Sequence, residues 1–196
     1  MPYIFLGSLA FLFFVAYDIN SVTINNRLLK GGFFIGCILL IGATGGIISA
    51  TIKEAIWYSI RTPIFLTAAI VFLVFLVYTL FFAIPFETTY LKTDQPPKTC
   101  TTGLYALSRH PGVLWFAGFY FSLWLALSGS LLLAAGILFT ILNFLYVVLQ
   151  DRWIFMIIFP DYGQYKKTTP FLIPNHQSFI RCINTFCQTS GKRVQW

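Results

Sequence analysis

The chain has 196 residues, of which 58% are hydrophobic and 10% charged, with 22 phenylalanines and a formal net charge of +7. A water-soluble domain of that length has no interior large enough for so much apolar surface, and the apolar runs lack the alternation of a barrel strand. The composition therefore excludes a soluble globule and a membrane β-barrel, and predicts an all-α, polytopic integral membrane protein. The basic residues lie at the ends of the apolar runs, where anionic headgroups attract them, which argues against nucleic acid as a partner.

Five apolar segments follow in chain order, at 2–16, 31–51, 63–86, 112–128 and 130–150. Each approaches the roughly 20 residues that a helix needs to cross hydrocarbon, the first and fourth being short. The first reads as a membrane helix rather than a signal peptide, having no basic n-region and no small-x-small cleavage site before Asp18. With five spans, the connections 17–30 and 87–111 share a side with the C-terminal tail. Eleven of the 13 Lys and Arg fall there, leaving Lys53 and Arg61 opposite. The positive-inside rule then predicts the N-terminus outside and the C-terminus in the cytoplasm.

The connection 87–111 contains Lys92, Asp94-Gln95-Pro96-Pro97 and the run Thr101-Thr102-Gly103-Leu104-Tyr105-Ala106-Leu107-Ser108-Arg109-His110-Pro111. Loops this long in compact proteins are more often functional than idle. Pro111 suits the first turn of the fourth helix, with Ser108 or His110 as its cap. A helix N-terminus there, with Arg109 and His110 beside it, offers donors and a positive dipole end to a carboxylate or phosphate.

Ser128-Gly129-Ser130 leaves almost no connection between the fourth and fifth spans, which predicts a tight antiparallel hairpin of the last two. The fifth run continues through Asp151-Arg152-Trp153 to Ile158, too long for the bilayer unless it tilts, bends or emerges, and emergence is expected. The polar and aromatic stretch 159–170 is then placed to fold over the 87–111 loop. In the tail, Phe179, Ile180, Ile183 and Phe186 recur at helical spacing near Arg181, Lys192 and Arg193. That pattern fits a short interfacial helix, the alternative being a partly disordered tail. The organisation is one membrane domain over 1–196: N-terminal helices 1–90, a core 91–174 and a cytoplasmic tail 175–196.

On the fifth segment, Asn143, Tyr146 and Gln150 share one helical face, with Asp151 following. Polar side chains are costly in hydrocarbon, so the stripe marks either a site or interhelical hydrogen bonding. The hairpin should bring 109–113 and 143–151 to one end of adjacent helices, and two polar clusters beside a long loop favour a pocket. The four cysteines, Cys37, Cys100, Cys182 and Cys187, imply no disulfide framework, and the Cys182 and Cys187 pair lacks nearby His partners for zinc.

The segment 101–122, T-T-G-L-Y-A-L-S-R-H-P-G-V-L-W-F-A-G-F-Y-F-S, is followed by Tyr162-x-x-Tyr165-Lys166-Lys167-x-x-Pro170. Over residues 98–174 this resembles the C-terminal half of the isoprenylcysteine carboxyl methyltransferase and phospholipid methyltransferase superfamily. The Arg-His-Pro element also recurs in membrane sterol-type reductases, so a nicotinamide-dependent reductase stands as an alternative, and a non-catalytic family relative, in which Val113, Gln150 and Asp151 record lost activity, as another. The resemblance implies a membrane-embedded, S-adenosylmethionine-dependent methyltransferase with a cytoplasmic cofactor pocket and no Rossmann domain. Its acceptor would be a lipophilic or lipidated molecule entering from the bilayer.

Carried over by position, the cofactor-lining residues are Lys98, Thr99, Cys100, Tyr105, His110, Pro111, Gly112 and Val113, and those assigned to catalysis are Arg109, Tyr146, Gln150 and Asp151. Val113 stands where the family has a tyrosine, Gln150 and Asp151 where it has paired glutamates, and Tyr146 where the prenylcysteine enzymes place an arginine. A neutral pair holds a carboxylate less well than Arg and Glu, which weighs against prenylcysteine as the acceptor.

Overall fold

The computed structural model of the chain describes residues 1–52, 60–83 and 97–191, the last six by their backbone. Lys53, Lys92, Asp94-Gln95-Pro96, Lys192 and Arg193 lie outside the described residues, as do the side chains of Phe186 and Cys187. The regular structure described is all helical: α1 (Pro2–Val22), α2 (Gly32–Ile52), α3 (Arg61–Val77), α4 (Leu104–Leu107), α5 (Pro111–Leu127), α6 (Ser130–Leu149), α7 (Phe155–Ile158), α8 (Tyr162–Thr168) and α9 (His176–Gly191). Wide π turns extend α3 through Tyr78–Phe82 and join α6 to α7 through Gln150–Ile154.

Among the described residues four helices are long and apolar enough to cross a membrane: Pro2–Val22, Arg27–Ile52, Arg61–Phe82 and Ser130–Ile158, while Pro111–Leu127 is apolar but shorter. Of the most apolar stretch of the third only 11% is buried within the protein. Most of its large apolar side chains, Val71, Leu73, Val74, Phe75 and Val77 among them, are exposed, and hydrocarbon is the solvent that suits them. The chain is an integral membrane protein.

Two compact units form, one from Met1–Leu73 and Phe116–Ile154, the other from Val74–Trp115 and Phe155–Trp196. The first is a helical bundle packed by large side chains against small ones. A Cβ at Gly36 would come within 2.5 Å of the Phe14 ring, and one at Gly118 within 2.7 Å of Phe72. Gly7 and Gly46 are likewise covered by the rings of Phe139 and Tyr3. Phe139 is fully buried, with Phe11 and Tyr120 around it at ring-centroid distances of 6.3 and 5.8 Å. Apolar tails give helices no hydrophobic reason to associate in lipid, so close approach over small residues and shared hydrogen bonds must do it. Thr44 and Tyr120 supply one such bond, 2.6 Å between hydroxyls.

α1 runs six residues beyond the apolar segment 2–16 because its polar end is satisfied internally. Asn20 is 2% exposed and clamps the chain reversal, accepting from Asn26 N–H at 2.7 Å and donating to Asn26 C=O at 3.0 Å. Asn26 then caps the short 3-10 turn Arg27–Gly31 by accepting from Leu28 N–H. Between α5 and α6 only Ser128 and Gly129 intervene. Ser128 adopts φ 57° and returns its N–H to Trp124 C=O at 2.7 Å, so the expected tight hairpin forms.

The second unit has a different construction, with short helices α4 and α8 held by hydrogen bonds from residues distant in sequence. Gly103 opens α4 at φ 60° and ψ −131°, a backbone region that only glycine enters without strain. The tail folds as α9, its start closed by a reciprocal pair: Ser178 N–H donates to Asn175 Oδ1 at 2.8 Å and Asn175 N–H to Ser178 Oγ at 3.0 Å.

Candidate functional site

In the second unit the Arg-His-Pro loop and the 159–170 stretch assemble on each other. Arg109 Nη1 donates to Lys166 C=O at 3.1 Å and to Thr169 C=O at 2.7 Å, and its guanidinium lies 5.5 Å from the centre of the Phe171 ring. The main chain follows, Arg109 N–H meeting Pro170 C=O at 2.9 Å and His110 N–H meeting Phe171 C=O at 3.2 Å. Ser108 Oγ donates to Phe171 C=O and accepts from His110 N–H, so it braces the residue before α5.

Tyr165 completes the clasp by donating its hydroxyl to Tyr105 C=O at 2.6 Å. Burial first, then the phenols of Tyr162 and Tyr105, push the Tyr165 hydroxyl well above its ordinary value, which keeps it a donor. Tyr105 in turn donates to Thr79 C=O at 3.1 Å. Asp161 gathers the residues before the motif, its carboxylate accepting from Thr99 N–H at 3.1 Å and from Thr99 Oγ1 at 2.7 Å.

His110 is enclosed. It is 6% exposed, stacked on Phe155 at 5.9 Å and 10° and edge-on to Phe171 at 5.2 Å, with Nε2 3.5 Å from the Tyr162 hydroxyl. Pro111 and Val113 are buried beside it, whereas Gly112 faces Leu76 and Leu80 across ordinary contact distances. Lys98 is exposed, and Cys100 Sγ lies 3.7 Å from Ala83 C=O. A polar cavity of about 300 Å³ opens next to the clasp, lined by Thr101, Ala106, Asp161, Gln164, Tyr165, Thr168, Thr169 and Arg181. It carries one carboxylate, one guanidinium and several hydroxyls, a donor set suited to a zwitterionic ligand.

The polar stripe of α6 belongs to the first unit. Tyr146 and Gln150 are joined there by a 2.8 Å bond from Gln150 Nε2 to the Tyr146 hydroxyl. The same amide nitrogen donates at 2.8 Å to Asp18 Oδ2, from a residue 132 positions away on α1. Asp18 is 7% exposed. Asp18 is the residue missed by sequence reasoning, which treated 17–30 as a connection. A lone carboxylate at the end of an apolar run was the available signal. Asn143 is half-buried on the same helix, and Asp151 is buried in the π turn that follows. Such turns interrupt helices frequently at functional positions.

In the same unit α5 and α6 border an apolar groove of about 280 Å³, lined by Ala117, Tyr120, Phe121, Trp124, Leu132, Leu133, Gly136, Ile137, Thr140 and Ile141. Cys37, Cys100 and Cys182 are free thiols, and among the described residues no group of three or more His, Cys, Asp or Glu is placed to hold a metal. Protein-family models, curated proteins and solved structures provide no match to this chain, so the resemblance of residues 98–174 rests on its own motif residues.

Proposed function

We propose that the chain is a membrane-embedded S-adenosylmethionine-dependent methyltransferase that modifies a lipophilic acceptor drawn from the bilayer. The observation that supports this most is the clasp. The two sequence elements that carry the resemblance lie some 50 residues apart, and their Tyr, Arg and His residues join them: Tyr105 with Tyr165, His110 with Tyr162, and Arg109 with the backbone of Lys166 and Thr169.

On this reading the loop Lys98 to Cys100, Tyr105 and the turn His110 to Val113 hold the cofactor, with Asp161 and Arg181 of the adjoining cavity available to its ammonium and carboxylate ends. The cofactor supplies a methyl group already activated on a sulfonium, so the protein's part is proximity, orientation and exclusion of water. Arg109, spent on two carbonyls, acts by holding the turn in shape. For a hydroxyl, amine or thiol acceptor, His110 takes the proton; a carboxylate acceptor needs no base. The roles of Tyr146, Gln150 and Asp151, which lie in the first unit, rest on the resemblance alone.

The same reading counts α5 as a fifth span, with the N-terminus outside and the C-terminus in the cytoplasm. The distribution of Lys and Arg supports that orientation. At 17 residues α5 is a few residues short of the usual span, a mismatch that local thinning of the bilayer accommodates at fractions of a kcal/mol per Å.

The test is transfer of label from methyl-tritiated S-adenosylmethionine into the organic-extractable fraction of membranes that contain the chain. Label above that of control membranes, reduced at least ten-fold by His110→Ala, is the expected result. No label in membranes of several lipid compositions, with no binding of S-adenosylhomocysteine, would favour a non-catalytic relative.

A further inference from the structure

α9 is built inside out for a water-soluble surface helix. Its inward face is small and polar: Ser178 is fully buried, Cys182 is 7% exposed, and Thr185 Oγ1 accepts from Gly103 N–H at 3.0 Å. Its outward face carries large apolar side chains, with Phe179 56%, Ile180 44% and Ile183 49% exposed. On a wheel of 100° per residue Phe179, Ile183 and Ile180 sweep one sector, shared at the first turn with exposed His176, while the exposed Gln177 and Asn184 fall together on a neighbouring one. The helix therefore has three faces: one docked, one apolar and one polar.

We infer that α9 lies in the bilayer interface, with Phe179, Ile180 and Ile183 immersed at the boundary of headgroups and acyl chains. Three observations select lipid as the occupant. The protein is already a membrane protein, and α9 starts 18 residues after the last long apolar helix ends at Ile158, so a bilayer surface is within reach of a short stretch of chain. The polar sector is uncharged and suited to the headgroup layer. Lys167, exposed on the neighbouring α8, is a cation complementary to anionic headgroups. An amphipathic helix with its apolar face turned away from its own protein and a cation beside it has the composition of an interfacial anchor.

The consequence reaches the cavity. Arg181 lines it and donates to Thr168 C=O, and Thr185 holds Gly103 at the start of the motif loop. A helix seated on lipid would fix both. This inference does not depend on the proposed activity.

The test uses the full chain with its four cysteines replaced and single cysteines introduced by Ile180→Cys, Ile183→Cys or Asn184→Cys. Each is spin-labelled and reconstituted into nanodiscs of phosphatidylcholine and phosphatidylglycerol. Collision rates with oxygen, which concentrates in lipid, and with a water-soluble nickel chelate are then compared. Labels at 180 and 183 should show an oxygen-to-nickel ratio several-fold above that at 184. Nickel exposure at 180 and 183 equal to that at 184 would place the face in water and overturn the inference. Shielding of both positions from both reagents would mean that protein, such as a second copy of the chain, covers the face, which would overturn it equally.

Discussion

The two compact units solve the same problem, order in a mostly apolar chain, by opposite means. In the first, helices meet where a ring fits over a glycine, and side-chain bonds such as those of the Asp18, Gln150 and Tyr146 cluster supplement that packing. In the second, short segments are held by side chains reaching main-chain carbonyls far away in sequence, with Arg109 at the centre. The first kind of order tolerates chemical substitution as long as volume is kept. The second depends on particular donors, which is the kind of order a binding loop requires.

The largest effect should come from removing the centre of the clasp. Arg109→Ala deletes two charge-assisted hydrogen bonds, each worth about 1.5–3 kcal/mol. Hydrogen exchange should accelerate at least ten-fold across 99–110 and 162–170 while α1 and α2 keep their protection. Arg109→Lys, which lacks the planar fork, should recover only part of it. Equal loss of protection in α1 and α2 would erase the distinction between the two constructions.

The packing of the first unit is tested by a pair of glycines. Gly36→Val drives side-chain atoms into Phe14 and should cost about 1–3 kcal/mol, lowering the thermal midpoint in detergent. Gly42, further along α2, has no atom within 4 Å of its Cβ position, so Gly42→Val should stay within about 0.5 kcal/mol of wild type. Identical responses would mean that ring-over-glycine contacts do not hold the bundle.

Asp18→Leu leaves the Gln150 amide without its carboxylate partner and should cost about 1–3 kcal/mol, read in the same thermal assay. Asp18→Asn retains an acceptor and should cost less than half as much. Smaller still is Tyr165→Phe, which removes one neutral donor from Tyr105 C=O, about 0.5–1.5 kcal/mol, and should loosen α4 and α8 in hydrogen exchange without altering the bundle.

How much of this was legible follows the same division. The apolar runs located the helices of the first unit, and Ser128-Gly129 marked the hairpin, because hydrocarbon imposes length and continuity on a sequence. The end of α1 was not legible: Asp18 has its partner on Gln150, and Asn20 closes a turn onto Asn26, neither of which hydropathy encodes. In the second unit the motif residues were visible as a pattern, and the expectation that 159–170 folds over the loop agrees with the clasp. The roles were harder. Arg109, one of the residues that the resemblance assigns to catalysis, donates to the carbonyls of Lys166 and Thr169, a role that no motif announces. Phe155 and Phe171, which enclose His110, and Asp161, which holds Thr99, carry no local signature that distinguishes them from other aromatic and acidic residues. The outward apolar face of α9 was foreshadowed by the spacing of Phe179, Ile180 and Ile183, but which face docks is settled by Ser178, Cys182 and Thr185.

Calorimetric titration of the detergent-purified protein with S-adenosylhomocysteine, and separately with NADPH, addresses the central claim. The account predicts saturable binding of S-adenosylhomocysteine that His110→Ala and Tyr105→Ala each weaken about ten- to a hundred-fold, the effect of losing roughly 1.5–3 kcal/mol of interaction, with no binding of NADPH. Binding of NADPH in place of S-adenosylhomocysteine, or S-adenosylhomocysteine affinity unchanged in both folded variants, would contradict it.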